Sequence, residues 1–197
     1  MPLDLFVALV VFTAVMAFTP GPNNIMLAAS GVNFGFERTI PHMIGVTVGF
    51  AGLVISCAAG LGLAFAAFPA LHVALKIVGA LYLLWLAYKV ATARPADDDP
   101  TSTQPLSFWQ ALLFQWVNPK AWVASLSGIS LFVRPSHEYV DFAVVLGVFT
   151  ACTVGSVVTW AAFGVALRGL LSKPLYARIF NGTMGVLLVA SIVPMVL

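Results

Sequence analysis

The stretch Phe18-Thr19-Pro20-Gly21-Pro22-Asn23-Asn24 lies near the middle of an uncharged run that extends from Leu5 to Phe36. Proline has no backbone N–H and clashes with the carbonyl group four residues earlier, so an α-helix cannot continue intact through this stretch. In a membrane, the backbone groups that such a break releases must be satisfied inside the protein or beside a water-filled cavity. The stretch therefore predicts either a structural kink or a polar site at membrane depth.

The composition indicates a membrane protein. Of 197 residues, 61% are hydrophobic and 8% are charged, whereas charged residues make up about 25% of a typical soluble domain. The uncharged runs Leu5–Phe36, Thr39–Leu75 and Phe142–Leu167 each exceed the about 20 helical residues that cross a bilayer core of roughly 30 Å. Lys and Arg are scattered singly, which argues against a nucleic-acid partner. We therefore predict an all-α polytopic protein in a lipid bilayer.

Apolar runs separated by helix breakers predict six transmembrane helices. They cover Leu3–Phe34, Ile40–Phe68, Leu71–Ala93, Ser107–Val133, Tyr139–Leu167 and Ile179–Leu197. Residues 94–106, rich in Pro, Asp and small polar residues, are interpreted as a cytoplasmic linker between a first three-helix repeat, residues 1–93, and a second, residues 107–197, of one membrane domain. Because three is odd, the second half enters the membrane from the opposite side, so halves that share a fold form a 3+3 inverted repeat.

The basic residues of the loops predict the orientation. With the N-terminus outside, six basic residues fall in cytoplasmic connections and two, Lys76 and Arg134, fall outside. The six are Arg38, Lys89, Arg94, Arg168, Lys173 and Arg178. Because cytoplasmic loops carry the excess of Lys and Arg, we expect both termini outside. No basic region precedes the first apolar run, so the first segment is expected to be retained as a span.

A second break lies in the fourth segment, at Gln115-Trp116-Val117-Asn118-Pro119-Lys120-Ala121-Trp122. Interrupted hydrophobic segments at corresponding positions of two halves are the best sequence pointer to a transport site. With the predicted topology, the half-helices that start at Pro22 and Pro119 both direct their N-termini toward the membrane centre. The partial positive charge of helix N-termini suits an anionic group such as a carboxylate.

The candidate substrate-binding residues are those that form the two breaks or lie beside them. They are Pro20, Gly21, Pro22, Asn23, Asn24, Gln115, Asn118, Pro119 and Lys120. The missing proline donors are expected to free the carbonyl groups of Met16, Phe18 and Gln115, which could hold an ammonium group or a cation. Asparagine side chains add donors and acceptors.

Lys120 has two interpretations. A charge at membrane depth costs at least about 2.5–3.5 kcal/mol on insertion scales, and such residues usually face a cavity and have a function. We favour binding of a substrate carboxylate, and the alternative is that Lys120 stabilises the kink by bonding free carbonyl groups. As a cation near the site, it disfavours a strongly cationic substrate.

Several other residues carry weaker expectations. His42, His72 and His137 lie at segment ends and are expected to face interfacial water, and Cys57 and Cys152 are expected to be free thiols. Gly45, Gly49 and Gly52 share a face and predict close helix packing. Hydroxyl groups in the spans either face a cavity or bond back to their own helices, as for Ser56, Thr150, Thr153, Ser156 and Thr159. The carboxylates of Asp4, Glu37, Glu138 and Asp141 all lie at or near segment ends, so the energy source of transport is not evident from the residues.

Two motifs carry a family resemblance. Pro20-Gly21-Pro22-Asn23-Asn24, with Ala29-Ser30-Gly31-Val32-Asn33-Phe34-Gly35 after it, and Asn118-Pro119-Lys120-Ala121 resemble the LysE/RhtB family of bacterial amino-acid exporters. The length and the polar central linker are also similar. The resemblance implies an inner-membrane efflux carrier for amino acids or their close derivatives, driven by the membrane potential or a proton gradient. From Lys120 we favour a neutral amino acid.

Other functions fit the residues less well. A divalent metal-ion exporter of a related fold would need intramembrane Asp, Glu, His or Cys ligands at helical spacing, and this chain offers only two isolated cysteines. A membrane-embedded enzyme would need a catalytic constellation that the spans do not show, and a scaffold would leave both breaks unexplained. No catalytic residue, metal ligand or cofactor site is predicted, while a coupling proton and a homo-oligomer are left open.

Overall fold

The computed structural model describes residues 1–61, 69–93, 104–171 and 174–193, and these residues are helical without β-strands. The helices are α1 (Leu3–Phe18), α2 (Pro22–Phe34), α3 (Phe36–Ser56), α4 (Pro69–Ala91), α5 (Phe108–Phe114), α6 (Pro119–Phe132), α7 (Glu138–Arg168) and α8 (Pro174–Ala190). A π-helical turn, Cys57–Leu61, follows α3, and 3₁₀ turns precede α6 and α7 at Gln115–Val117 and Pro135–His137.

Both predicted breaks are present. Helices α1 and α2 meet at an angle of 54°, and α2 begins at Pro22, whose missing N–H is harmless at a first helical position. In the fourth segment, α5 ends at Phe114 and α6 begins at Pro119, with extended backbone at Asn118. The local effect of proline is therefore enough to interrupt each helix where the sequence predicts it.

The lengths of the helices fit a membrane protein. Phe36–Gly60 and Pro135–Arg168 are long and apolar enough to span a bilayer, and the bent α1–α2 pair qualifies as a third span if it is counted as one. Ile77–Ala91 and Leu175–Ala190 are apolar but shorter. The six-span count and the inverted repeat stay predictions, and residues 94–103 of the predicted linker lie outside the described residues.

The surface is apolar and the middle of the protein is polar. On α1, Val7, Val11 and Val15 lie one helical turn apart on one face, and each is more than half exposed. Gln115 and Asn118, in contrast, are buried. Large exposed apolar faces around buried amides are what a lipid surrounding requires, so the burial pattern supports the membrane assignment.

Helices α2 and α7 pack backbone to backbone. A methyl group at Gly31 would overlap the carbonyl oxygen of Ala161, and one at Gly164 would overlap the carbonyl oxygen of Ala28. Each helix thus contributes one glycine that admits the backbone of the other, as small residues do at interfaces between membrane helices. This contact fixes α2 against the long helix α7.

Helices α3 and α5 are equally close. A methyl group at Gly45 would overlap the carbonyl oxygen of Phe108, and one at Gly49 would come within 2.6 Å of the carbonyl oxygen of Leu112. The predicted packing role is therefore confirmed for these two glycines. It is wrong for Gly52, where an added methyl group would meet no described atom within 4 Å, because only the first two turns of the glycine face oppose α5.

An ion cluster fixes the start of α7. The buried carboxylate of Asp141 accepts hydrogen bonds from Arg134 Nε at 2.6 Å and Arg134 Nη2 at 3.0 Å. The Met1 amino group lies 3.7 Å from the same carboxylate. Hydrogen bonding to Asp141 raises the pKa of the Arg134 guanidinium above its usual value. The cluster ties the beginning of α1 to the turn between α6 and α7.

Candidate binding site at the two helix breaks

Lys120 joins the two breaks directly. It lies in the first turn of α6, and its Nζ donates hydrogen bonds to the Thr19 carbonyl at 2.7 Å, to Thr19 Oγ1 at 2.9 Å and to the Pro20 carbonyl at 3.4 Å. These acceptors belong to the α1–α2 break. An ammonium group has three donors, so the Lys120 charge is satisfied by the end of α1 in this conformation.

A pair of amides makes a second link between the two breaks. Asn23 Nδ2 donates to Gln115 Oε1 at 2.8 Å, and Gln115 Nε2 donates back to Asn23 Oδ1 at 3.1 Å. Gln115 Nε2 also donates to the Ala111 carbonyl at 2.9 Å. Because Gln115 is fully buried, these bonds satisfy a side chain that has no access to water.

The free carbonyl groups of the first break lie at and beyond the end of α1. Asn24 Nδ2 donates to the Ala17 carbonyl at 2.8 Å and to the Thr19 carbonyl at 2.9 Å, and Ser156 Oγ donates to the Ala17 carbonyl at 2.7 Å. The Thr19 N–H still bonds to the Val15 carbonyl, so α1 stays regular to its end. The break is thus stabilised by side chains from α2 and α7.

These acceptors differ from the predicted ones. The side chains bond the carbonyl groups of Ala17 and Thr19, because the chain turns away immediately after α1. The release of the Met16 and Phe18 carbonyls stays a prediction. At the second break, the Gln115 carbonyl accepts the Asn118 N–H at 3.4 Å in a 3₁₀ turn. That carbonyl therefore has a backbone partner and is not released as predicted.

The two half-helix N-termini differ in their caps. Asn118 caps α6, since its side chain accepts a hydrogen bond from the Lys120 N–H at 3.1 Å. Helix α2 starts after Gly21, which offers no side-chain cap. The first N–H groups of a helix have no partner within the helix, so the start of α2 is the end that can receive an external acceptor.

Gly21 lets the Lys120 side chain approach this open N-terminus. A methyl group at Gly21 would lie 2.9 Å from Lys120 Cδ and 3.1 Å from Lys120 Nζ. The ammonium group and the first turn of α2 therefore stand side by side. Both attract negative charge, so this corner of the site suits a carboxylate.

A cavity lies at the meeting point of the two breaks. About 610 Å³ of space free of protein atoms lies within it, including space that is open to the surroundings. Of the predicted residues, its wall contains Gly21, Pro22, Asn23, Asn24, Gln115, Asn118 and Lys120. Pro20 and Pro119 do not line the cavity, and their role in the structure is to interrupt the helices. The structure thus brings the polar candidates from both halves together.

Thr13 lines the cavity and is absent from the predicted site. It is buried, and its Oγ1 has no hydrogen-bond partner among the residues that the structure describes. Between Asp4 and Thr19 it is the one polar side chain of α1, which is the sequence signal that could have found it. The apolar part of the wall includes Phe50 and Phe149.

The hydroxyl groups of the spans fall into both predicted classes, those that face a cavity and those that bond back to their own helices. Thr153 and Ser156 line the cavity. Ser56 and Thr159 bond back to the Gly52 and Gly155 carbonyls of their own helices. Sequence alone could not separate these cases, because all four lie in apolar helices.

The predicted environment of the histidines is wrong for His42. Only 1% of its surface is exposed, because the second turn of α3 is covered by neighbouring helices. His137 is exposed and bonds Ser136, whereas the His72 side chain lies outside the described part of the chain. Cys57 and Cys152 are free thiols, as predicted. Within the described residues no group of three His, Cys, Asp or Glu could hold a metal ion.

Comparison with known proteins identifies similar sequences. The family model described as LysE type translocator matches residues 14–192. The cysteine/O-acetylserine efflux proteins of Escherichia coli (strain K12) and Shigella flexneri serotype 5b (strain 8401) are each 34% identical over 181 residues, which cover 90% of this chain and 90% of each relative. No solved structure matches the chain significantly.

Proposed function

The chain belongs to the LysE type translocator family, and we propose that it is a secondary transporter that exports amino acids or their close derivatives across the bacterial inner membrane. The observation that carries this proposal is the cavity between the two helix breaks, where polar groups from both halves of the chain converge. The relatives are named as efflux proteins for cysteine and O-acetylserine, which supports a small neutral amino acid as the substrate. Proton exchange is the energy source that we infer for this export.

The cavity offers partners for both ends of a zwitterion. The substrate carboxylate binds at the uncapped start of α2, beside the Lys120 ammonium group. The substrate ammonium binds the Thr13 hydroxyl, which has no partner among the described residues, and Asn24 Oδ1. Phe149 and the other apolar side chains of the wall take the substrate side chain. This arrangement favours a neutral amino acid, because Lys120 repels an additional positive charge.

The order of helix contacts supports the proposed inverted repeat. The first broken segment, α1–α2, packs on α7 of the second half, the second broken segment, α5–α6, packs on α3 of the first half, and α4 packs on α8. If the two halves are exchanged, the contact of the first broken segment with α7 becomes the contact of the second broken segment with α3. The contact between α4 and α8 stays the same. Such pairing is what two inverted three-helix repeats would give, with the substrate site at their interface.

Metal export is the less favoured function. A transition-metal site needs imidazole or thiolate ligands, and a site for harder cations needs carboxylates. The described residues of the cavity wall include no Asp, Glu, His or Cys. The amides and hydroxyl groups that are present suit an organic zwitterion better.

An excretion assay tests the proposal. Cells that express the protein are fed dipeptides, and the amino acids in the medium are compared with those from cells that express the Thr13→Val variant. Valine has nearly the shape of threonine, and Thr13 Oγ1 has no described partner, so this variant is expected to fold. We expect one or more neutral amino acids to accumulate outside wild-type cells and to fall about tenfold with Thr13→Val, as the loss of a hydrogen bond to a charged group predicts.

Thr159→Val is the matched control, because Thr159 bonds back to its own helix and lies outside the cavity wall. It should excrete like the wild type. If the medium shows no amino acid above the level of cells without the protein, amino-acid export is the wrong function.

A further inference from the structure

A second cavity lies along α2, beyond the site at the helix breaks. About 480 Å³ of space free of protein atoms lies within it, including space that is open to the surroundings. Ser30 and Asn33 of α2 line it, together with Lys89 of α4 and Gln104 near the end of the predicted linker. The basic residues of the loops place this end of α2 toward the cytoplasm. The second cavity therefore lies where a substrate would enter from the cell.

His42 stands out on the wall of this cavity. Other polar groups of the wall have partners: Ser30 bonds Thr39 at 2.8 Å, and Asn33 exchanges two hydrogen bonds with Asn181 at 2.9 and 3.0 Å. His42 is 1% exposed, and neither of its ring nitrogens has a partner among the described residues. Buried polar groups nearly always have partners, so an imidazole left without one is a candidate for binding in another state of the protein.

The charges near His42 are mostly positive. Lys89 lies on the cavity wall, with its Nζ 4.8 Å from the centre of the Trp85 ring. On the helix of His42, Glu37 and Arg38 precede it by five and four residues and are exposed. From α7, Arg168 reaches toward Gly35, while the described residues of α2 and α5 carry no titratable side chain. These cations would repel a second positive charge in the cavity.

We propose that His42 is the residue at which one proton is exchanged for one amino acid during export, a role that rests on the proposed function. A neutral imidazole keeps one lone pair, which can accept a hydrogen bond from the substrate ammonium in the second cavity. An imidazolium has no lone pair and repels the ammonium. The proton and the amino acid therefore compete for His42, as antiport requires.

The steps balance for one proton and one amino acid. In the state open to the cytoplasm, the His42 imidazolium releases its proton to water, and the neutral ring accepts the amino acid. After the amino acid has left to the outside, the ring takes up a proton from water on that side. Each cycle moves one proton inward and one amino acid outward, so substrate binding should weaken as the pH falls.

Proteoliposomes with purified full-length protein test this role, with O-acetylserine and cysteine as the probes. Two rates are measured: counterflow, in which labelled probe exchanges against unlabelled probe, and accumulation driven by an acidic lumen with the membrane potential clamped. Counterflow is measured from about pH 8 down to about pH 5.5, and we expect the wild-type rate to fall as the pH is lowered. A gradient of about one pH unit should drive about tenfold accumulation, because exchange of one proton per substrate molecule allows the substrate concentration ratio to reach the proton concentration ratio.

His42→Gln and His42→Asn place a neutral amide near Nε2 and Nδ1, respectively, and neither can be protonated in this range. Both variants should exchange the probe at a rate that no longer depends on pH, and both should lose the accumulation. His137→Gln is the matched control, since His137 is exposed and distant from the cavity in the sequence, and it should behave like the wild type.

The following results would overturn the inference. If the His42 variants accumulate the probe, or if their counterflow keeps the wild-type pH dependence, His42 carries no coupling proton. If both variants are monodisperse and exchange nothing, His42 serves translocation itself rather than coupling. If the wild-type protein shows counterflow with neither probe, the proposed function is overturned, and this inference with it.

Discussion

At the scale of single residues, the contacts of Lys120 explain how a positive charge is accommodated at the broken helix. Its ammonium group bonds the Thr19 and Pro20 carbonyls, which carry the partial negative charge at the end of α1. These contacts are the ones expected of a residue that stabilises the kink. The same ammonium group stands beside Gly21, at the open start of α2, so the proposed carboxylate would be attracted without any large movement of the lysine.

Lys120→Met should impair both stability and transport. The methionine keeps the length of the side chain but removes the donor of the Pro20 carbonyl and one of the two side-chain donors of the Thr19 carbonyl, which keeps its bond from Asn24. Loss of a hydrogen bond to a charged group costs about 1.5–3 kcal/mol, so the unfolding temperature of the purified protein should fall and counterflow should be lost. Arg178→Met, at an exposed position of α8, controls for removal of a cation. An unchanged unfolding temperature with unchanged counterflow would contradict both roles of Lys120.

The sequence predicts the residues of the breaks better than it predicts their partners. Proline acts on its own helix, so Pro22 and Pro119 mark the starts of α2 and α6 from local geometry alone. The bond between Asn23 and Gln115 joins residues 92 positions apart, and only the packing of the halves brings them together. Burial of His42 was not predicted because the residue lies near the end of a span, although it stands three residues before Gly45 on the face that the glycines mark as a packing face.

At the scale of helices, glycine sets the distance between α2 and α7. Gly31 and Gly164 each face a backbone carbonyl of the opposite helix, and this close approach allows Ser156 of α7 to reach the Ala17 carbonyl at the end of α1. The packing of α7 and the closure of the first break are therefore linked. A change that separates the two helices should also disturb the site.

Gly164→Ala should destabilise the protein. The added methyl group would overlap the Ala28 carbonyl oxygen, a backbone atom that cannot move aside alone, and overpacking of this kind typically costs about 1–3 kcal/mol. We expect a lower unfolding temperature and a lower yield of monodisperse protein. Gly147→Ala in the same helix is the matched control, since its methyl group would meet no described atom within 4 Å. Equal stability of the two variants would mean that α2 and α7 are not in backbone contact.

At the scale of the whole molecule, the two halves meet where each is broken. The start of α6 supplies Lys120 to the first break, and Asn23 of α2 binds Gln115 just before the second break. Composition and the two motifs predicted the helical membrane fold and the family. The span count and the symmetry of the halves depend on how the helices pack, which local sequence patterns do not specify.

The orientation of the molecule can be tested with a reporter fused after Leu197. Because the loops that we place in the cytoplasm carry six basic residues and the outer loops carry two, alkaline phosphatase at this position should be active and a green fluorescent reporter should be dark. Fusions after residue 99, in the predicted linker, should give the opposite result. A cytoplasmic signal after Leu197 would reverse the proposed direction of α2 and of the second cavity.

The most direct test of the central claim is whether the substrate carboxylate is recognised between the two breaks. Counterflow of labelled O-acetylserine in proteoliposomes is measured while unlabelled O-acetylserine or its methyl ester is added as a competitor. The ester keeps the ammonium and the side chain but has no negative charge for the start of α2 and Lys120. We predict that the ester competes at least about tenfold more weakly, as the loss of a hydrogen bond to a charged group implies. Equal competition by the ester and the free amino acid would contradict a carboxylate site at the helix breaks.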